Sequence, residues 1–319
     1  MRAFLLLALF VPELASASYA EYQVPFGMAV RRATVMSEGT PLAAHVLQSQ
    51  EHAGKRRPAI ILCQGTGGLQ HYHLAPAIAF ANAGYTVITF DYRGWGESGG
   101  RLVAADAAAR TRKDGKPQGA QVIEVRETVD PFEQAADVAA VIAWAAGEPE
   151  VDAGRLGLWG TSLGGGIAFY AMLNDSRVKA MVAQVAAFET RRPPGAALDQ
   201  LREEAARRAR GELPYAGPQP RVAGKLHGQQ VREKYQAWSP AEDMIRLAAR
   251  SVQPAVLIID AEKEELMDLR YQGERVFERL SGPKARVVIP GIGHYGVYRE
   301  ALQQATRLAL DWYDKHLKP

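Results

Sequence analysis

The run Arg155-Leu156-Gly157-Leu158-Trp159-Gly160-Thr161-Ser162-Leu163-Gly164-Gly165-Gly166-Ile167-Ala168 passes from large apolar side chains into Gly-Thr-Ser-Leu-Gly and straight on into an alanine-rich apolar segment. The pattern predicts strand, sharp turn and helix, with Ser162 at the apex. A serine on so tight a turn sits in strained backbone, and its neighbours two residues away must be small for strand and helix to approach. Gly160 and Gly164 meet that need. Such a turn, the nucleophile elbow, lifts the hydroxyl above a sheet and aims the following amide, Leu163 N–H, at a developing oxyanion.

With 30 glycines in 319 residues, a chance Gly-x-Ser-x-Gly arises in roughly one such chain in ten. A second match is present at Gly96-Glu97-Ser98-Gly99-Gly100. Its preceding strand signal ends near Phe90, and the charged, broken Lys113-Asp114-Gly115-Lys116-Pro117 lies beyond it. Ser98 therefore reads as a turn residue. Only Ser162 has a strand and a helix abutting it.

Outward from Ser162 the same rhythm recurs. Ala29–Met36 and Leu42–Gln48 read as strands joined by Ser37-Glu38-Gly39-Thr40-Pro41. Ala59–Cys63 is an uninterrupted apolar run, as in a strand buried on both faces. It ends in Gln64-Gly65-Thr66-Gly67-Gly68, followed by a helix over Ala75–Ala83 and a strand over Tyr85–Phe90. Asp130, Pro131 and Glu133 have the order of an N-cap, a first-turn proline and a third-position acid, opening a helix that stops at Gly147. Strands at Val178–Val185, Ala255–Ile259 and Ala285–Ile289, and helices at Tyr271–Leu280 and Tyr298–His316, complete the alternation. The expected fold is α/β, a doubly wound, mostly parallel sheet with helices on both faces.

Between Thr190 and Trp238 the rhythm breaks. Arg191-Arg192-Pro193-Pro194, a charged helix at Leu198–Arg210 and a Pro/Gly-rich passage at 214–228 show no strand signal. Residues 190–238 are expected to form a small helical cap inserted into a core of 21–189 and 239–319. Arg207, Arg208 and Arg210 read as a solvated helix face.

Composition sets wider bounds. A net charge of +3 leaves no electrostatic footprint for nucleic acid. The single cysteine, Cys63, excludes an internal disulfide framework and a cysteine-based zinc cluster, and its apolar strand makes it a small buried hydrophobe. At the N-terminus, Met1-Arg2, the apolar run Ala3–Val11 and small residues at Ala15–Ala17 and Ser18–Ala20 stand in secretory-signal order. Residues 1–20 are thus expected to be a signal peptide, and the protein periplasmic or secreted. The alternative is a cytoplasmic protein with an N-terminal helix packed on its domain. The run is too short for a permanent span, and no second apolar stretch is long enough.

A serine hydroxyl needs a base to take its proton, and the base needs an acid to orient it. Along the chain stand Ser162, an acidic loop at Asp260-Ala261-Glu262-Lys263-Glu264-Glu265, and His294 in Gly291-Ile292-Gly293-His294-Tyr295-Gly296. The order Ser, acid, His is the one expected when an elbow sits on a doubly wound sheet. Each loop follows a strand, and parallel strands deliver such loops to one edge. His45, His52 and His316 read as surface residues, whereas His71, His73 and His227 are placed to line a pocket. Glu264 lies far enough past its strand to reach back to His294; Asp260 reads as strand, with Glu262 and Glu265 as alternatives. Thr66 N–H, after the Ala59–Cys63 strand, is the expected second oxyanion donor, and Tyr72, Trp95 and Tyr295 are the expected pocket walls.

On Gln64–Gly68, Asp91–Ser98, Val151–Gly166, Leu257–Leu266 and Pro290–Tyr298, the chain resembles the α/β-hydrolase superfamily. Within it, the chain looks most like the dienelactone-hydrolase-like and prolyl-oligopeptidase-like esterases and peptidases. Two departures stand out: Gln64 replaces the histidine of the usual His-Gly-x loop, and Glu264 fills a position usually held by Asp. The resemblance implies ester, thioester or amide hydrolysis without cofactor and does not supply the substrate; a small-molecule carboxylic ester is the expected one, and no metal site is expected. Amide, thioester and carbon–carbon bond hydrolysis and acyl transfer use the same groups and stay open. Gly94-x-Gly96-x-x-Gly99 formally matches a dinucleotide fingerprint, but no helix opens after it. A non-catalytic binding protein of the same fold would be expected to lack one of the three groups.

Overall fold

The computed structural model describes residues 25–52, 54–68, 70–104, 121–190, 195–213, 230–231, 238–247, 250 and 252–318. Eight strands form the main sheet: β1 (Met28–Ser37), β2 (Thr40–Ser49), β3 (Arg57–Cys63), β4 (Thr86–Phe90), β5 (Val151–Thr161), β6 (Val178–Gln184), β7 (Ala255–Ala261) and β8 (Lys284–Ile289). Their spatial order is β1-β2-β4-β3-β5-β6-β7-β8. β2 runs antiparallel to both of its neighbours, and every pairing from β4 through β8 is parallel.

Strand alternation divides the interior into two cores. In β3, Ala59, Ile61 and Cys63 face one side and Ile60 and Leu62 the other. The first side is covered by α2 (Pro131–Gly147), α3 (Leu163–Asn174) and α5 (Gly273–Arg279), through residues such as Val138, Ile142, Ile167, Phe169 and Val276. The second is covered by α1 (Leu74–Asn82) and α6 (Leu302–Leu317), through Phe80, Ala305, Tyr313 and Leu317. The start of α2 is the one that capping chemistry predicts. The Asp130 side chain accepts from Phe132 N–H and Glu133 N–H, and Pro131 opens α2.

The chain leaves the core after β6 and returns before β7. The two ends of this excursion are stapled, because Thr190 donates both its N–H and its hydroxyl to the Trp238 carbonyl at 3.1 Å. Ser239 adds a bond to the Glu189 carboxylate at 2.7 Å. Inside the excursion, α4 (Ala196–Ala209) is the expected charged helix, with Arg208 paired to Glu204 one turn back. Contrary to expectation the passage also contains strand: Gln230–Val231 pairs in parallel with Thr128–Val129. Two residues of pairing leave too short a run for hydrophobic alternation to register. Residues 1–20, 191–194, 214–229 (His227 among them) and 232–237 lie outside the described residues, as does Lys113–Pro117. Among the described residues, no helix is long and apolar enough to cross a membrane.

Candidate active site

β3 and β5 are neighbours from which the chain departs in opposite directions, to β4 on one side and β6 on the other. At such a switch point the loops beyond the strand ends part and leave a crevice. Ser162 lies there, directly after β5. Its φ of 52° and ψ of −128° place a non-glycine residue at positive φ, a conformation that costs of order 1–3 kcal/mol. Neighbouring bonds hold it. Ser162 N–H donates to Gln184 O at 3.0 Å, and Ser162 O accepts from Gly165 N–H and Ala187 N–H at 3.0 and 2.9 Å.

The small residues around Ser162 are required sterically. A Cβ on Gly160 would lie 2.6 Å from Gly164 O and 2.7 Å from Gly165 Cα, and one on Gly164 would overlap the carbonyl oxygens of Cys63 and Gln64. The helix thereby approaches the end of β3 until backbone meets backbone. The β3 loop folds over the serine in turn. A Cβ on Gly65 would sit 2.9 Å from Ser162 Cβ, and Gly68 N–H closes a turn on Gly65 O at 3.0 Å with Thr66 and Gly67 at its corner. Leu163 N–H is the first amide of α3, where no intrahelical acceptor exists. Gln64 reaches sideways, its amide donating to Phe90 O at 2.7 Å, and so ties the ends of β3 and β4 together.

The other two segments arrive from β7 and β8. Beyond the paired Ala261 and Ile289, the loops continue to zip: Glu262 N–H donates to Ile289 O at 3.0 Å and Lys263 N–H to Ile292 O at 2.9 Å. This zip carries Glu264 to His294. The imidazole Nδ1 lies 2.8 and 3.0 Å from the two Glu264 carboxylate oxygens, and Nε2 lies 3.2 Å from Ser162 Oγ. A carboxylate only accepts, so Nδ1 carries the proton and Nε2 presents its lone pair to the serine hydroxyl. The side chains of His294 and Glu264 are 3% and 1% exposed, so water does not compete for this contact. Glu264 is itself held by Leu266 N–H at 2.9 Å.

The neighbouring acids do other work. Asp260 is the penultimate residue of β7, and its carboxylate accepts from Arg286 Nε at 2.7 Å. Glu262 accepts from Gly291 N–H at 2.7 Å and Glu265 from His294 N–H at 2.8 Å, so both fix the backbone of the histidine loop.

A family profile described as alpha/beta hydrolase fold matches residues 58–216. The chain belongs to the α/β-hydrolase superfamily. Membership places it among hydrolytic enzymes. This α/β-hydrolase is 28% identical over 313 residues to the uncharacterized 31.7 kDa protein in the traX-finO intergenic region of Escherichia coli, covering 88% of this chain and 98% of that one. Among solved structures, it resembles the α/β-hydrolase GrgF from Penicillium sp. sh18, with a TM-score of 0.65 at 21% identity, over 92% of this chain and 99% of that one. It also resembles the esterase of Pyrobaculum calidifontis, with a TM-score of 0.55 at 20% identity, over 90% and 86% of the two chains.

The remaining residues of this α/β-hydrolase sort by burial. Tyr295 is 53% exposed, with its ring edge-on to His294 at 5.3 Å, and Tyr72 is equally exposed in the turn after the β3 loop. Trp95 is corrected. It is 1% exposed, its indole N–H donates to Thr128 O at 3.1 Å and its ring packs on Tyr92, so it is core and not a pocket wall. The pattern misled because the loop carrying Trp95 folds inward. Ser98 is the bracket there, accepting from Ala43 N–H at 2.8 Å and donating to Asp91 O at 2.5 Å.

His45 is corrected too. β2 lies inside the sheet, and His45 is buried with Nδ1 2.8 Å from Gln70 Oε1. His73 is buried against Trp159, with ring centroids 5.1 Å apart. Sequence reasoning missed Tyr298, whose hydroxyl lies 2.6 Å from Thr161 Oγ1; its spacing four residues after His294 was the available signal. Among the described residues, no three His, Cys, Asp or Glu side chains converge as a metal ligand set.

Proposed function

We propose that this protein is a serine hydrolase cleaving a carboxylic ester through Ser162, His294 and Glu264. The observation that carries the reading is the continuous line from Glu264 through His294 to Ser162 Oγ, with both imidazole nitrogens engaged. Ser162 Oγ attacks the ester carbonyl as its proton passes to His294 Nε2, and Glu264 stabilises the imidazolium. Leu163 N–H and Thr66 N–H hold the oxyanion of the tetrahedral intermediate. Collapse expels the alcohol, which takes the proton from Nε2 and leaves an acyl-Ser162. Water then attacks, with Nε2 as base, and the carboxylic acid departs. The exposed rings of Tyr72 and Tyr295 flank the opening. The 190–238 excursion, rooted at Thr190 and Trp238, covers it as a cap, and the protein is exported before it acts.

Carboxylic esters are the simplest acyl donors this set serves, and the Pyrobaculum calidifontis protein of similar fold is an esterase. A fluorophosphonate probe should label the wild-type protein at one site and fail to label Ser162→Ala. Chromogenic esters of increasing acyl length, assayed beside an amide and a thioester, then read the bond cleaved. Labelling undiminished in Ser162→Ala would refute the assignment.

A further inference from the structure

Most bonds that fix the histidine loop reach it from the acid loop. Gly291 N–H is held by Glu262, Ile292 O by Lys263 N–H and His294 N–H by Glu265. These bonds set His294 relative to Glu264. They do not set it relative to Ser162, which follows β5, three places in the sheet from the β8 strand that leads to His294. Among the described residues, the His294–Tyr298 turn makes one bond to the strand of Ser162 besides the His294–Ser162 contact: the 2.6 Å hydroxyl pair of Tyr298 and Thr161.

We propose that Tyr298 is a positioning residue: through Thr161 it ties the base-bearing turn to the nucleophile-bearing strand and sets the gap the proton crosses. This rests on the hydrolase reading above. Thr161 is fully buried and immediately precedes Ser162. Its Oγ1 also accepts from Gln184 Nε2 at 3.3 Å, while the Gln184 carbonyl holds Ser162 N–H at 3.0 Å. One end of the tether is thus locked into the sheet. The other lies on a single 3₁₀ turn, so His294 and Tyr298 move together. Burial pushes the phenol up to about 12, so it stays a neutral hydroxyl across the range in which an imidazole base works. The 3.2 Å between Nε2 and Oγ sits at the long end of a productive contact, where small displacements slow proton transfer steeply.

The test compares wild type, Tyr298→Phe, Thr161→Val, the double variant, Thr161→Ser and Ser162→Ala. Their fluorophosphonate labelling rates, kcat and KM on a chromogenic ester, and melting temperatures are measured together. Tyr298→Phe and Thr161→Val should each lower kcat and labelling about tenfold, equivalent to about 1.4 kcal/mol of barrier, with KM within about twofold. The double variant should be no slower than Thr161→Val, because that change already removes the bond that Tyr298→Phe removes, and Thr161→Ser should keep the rate. Full-rate labelling in Tyr298→Phe, multiplied losses in the double variant, or a Thr161→Ser as slow as Thr161→Val would each overturn the proposal. Failure of the hydrolase reading shows separately, as wild type labelling no faster than Ser162→Ala. The downfield proton of His294 Nδ1, assigned by its loss in His294→Ala, then decides: broadened in Tyr298→Phe supports the tether, and unchanged refutes it.

Discussion

Replacing His73 by phenylalanine should flatten the acid side of the stability curve. His73 ends the Gln70–His73 turn, is 8% exposed, and packs edge-on against Trp159 and near Tyr298. Its Nε2 has no hydrogen-bond partner among the described residues. Burial, with a smaller push from His71, holds its pKa down at about 4, against 6.5 for a free imidazole. At pH 7 the ring is neutral in both the folded and the unfolded chain. As pH falls from 6.5 to 4, the unfolded chain takes up a proton that the folded one refuses, so stability is lost across that window and no further below it. Two and a half pH units at about 1.36 kcal/mol each give about 3 kcal/mol. That is a large share of the ~5–15 kcal/mol by which domains are stable. Urea unfolding of wild type and His73→Phe at pH 7 and pH 4 measures it. The variant has nothing to protonate there, so wild type should lose about 3 kcal/mol relative to it. An equal difference at both pH values would show that the ring reaches water and refute the argument.

Two further outcomes separate the acids and the N-terminus. Glu264→Gln puts a group with an N–H toward Nδ1 and disfavours the required tautomer, so kcat should fall by about 10³–10⁴ with folding kept. Asp260→Asn instead removes the buried charge beside Arg286, which keeps Glu274 at 3.9 Å, and should cost about 2 kcal/mol of stability while kcat per labelled site is retained; the reverse pattern would move the triad acid to Asp260. Protein recovered from its native host should begin after about Ala20. A retained Met1, found by N-terminal sequencing, would refute export.

Elements that announce themselves locally were legible. The Ser162 elbow needs small residues at defined spacings, and the clashes a Cβ would make at Gly160 and Gly164 show why no other residue serves there. The helix at Pro131–Gly147 was marked by its own cap, and the buried strands by unbroken apolar runs. Residues whose surroundings are supplied from far along the chain were not legible. Trp95 and His45 look like ordinary loop and strand-face residues. Only the pairing of β2 with β4, and the partners Gln70 and Thr128, bury them. The short strand at Gln230–Val231 exists because Thr128–Val129 offers an edge to it.

The acid loop shows where sequence and structure divide the problem. Four carboxylates stand within six residues, and hydrophobic pattern alone does not rank them. Strand geometry does. Asp260 is still inside β7, where its side chain is committed to the sheet face shared with α5 and to Arg286. Past Ala261 the backbone zips to the histidine loop through Glu262 N–H and Lys263 N–H, which fixes the position of each following residue relative to residues 289–294. Glu262 and Glu265 then meet main-chain amides, and Glu264 meets the imidazole. Glu264 and Glu265 are adjacent in sequence and both bind His294, one at the ring and one at the backbone. A change at either should therefore reach the base, but by different routes. On the proposed mechanism, loss of Glu264 removes the charge that would support an imidazolium, whereas loss of Glu265 frees the turn that carries the ring. Glutamine at 265 retains an oxygen that accepts the His294 N–H, so that position tolerates the amide while position 264 does not.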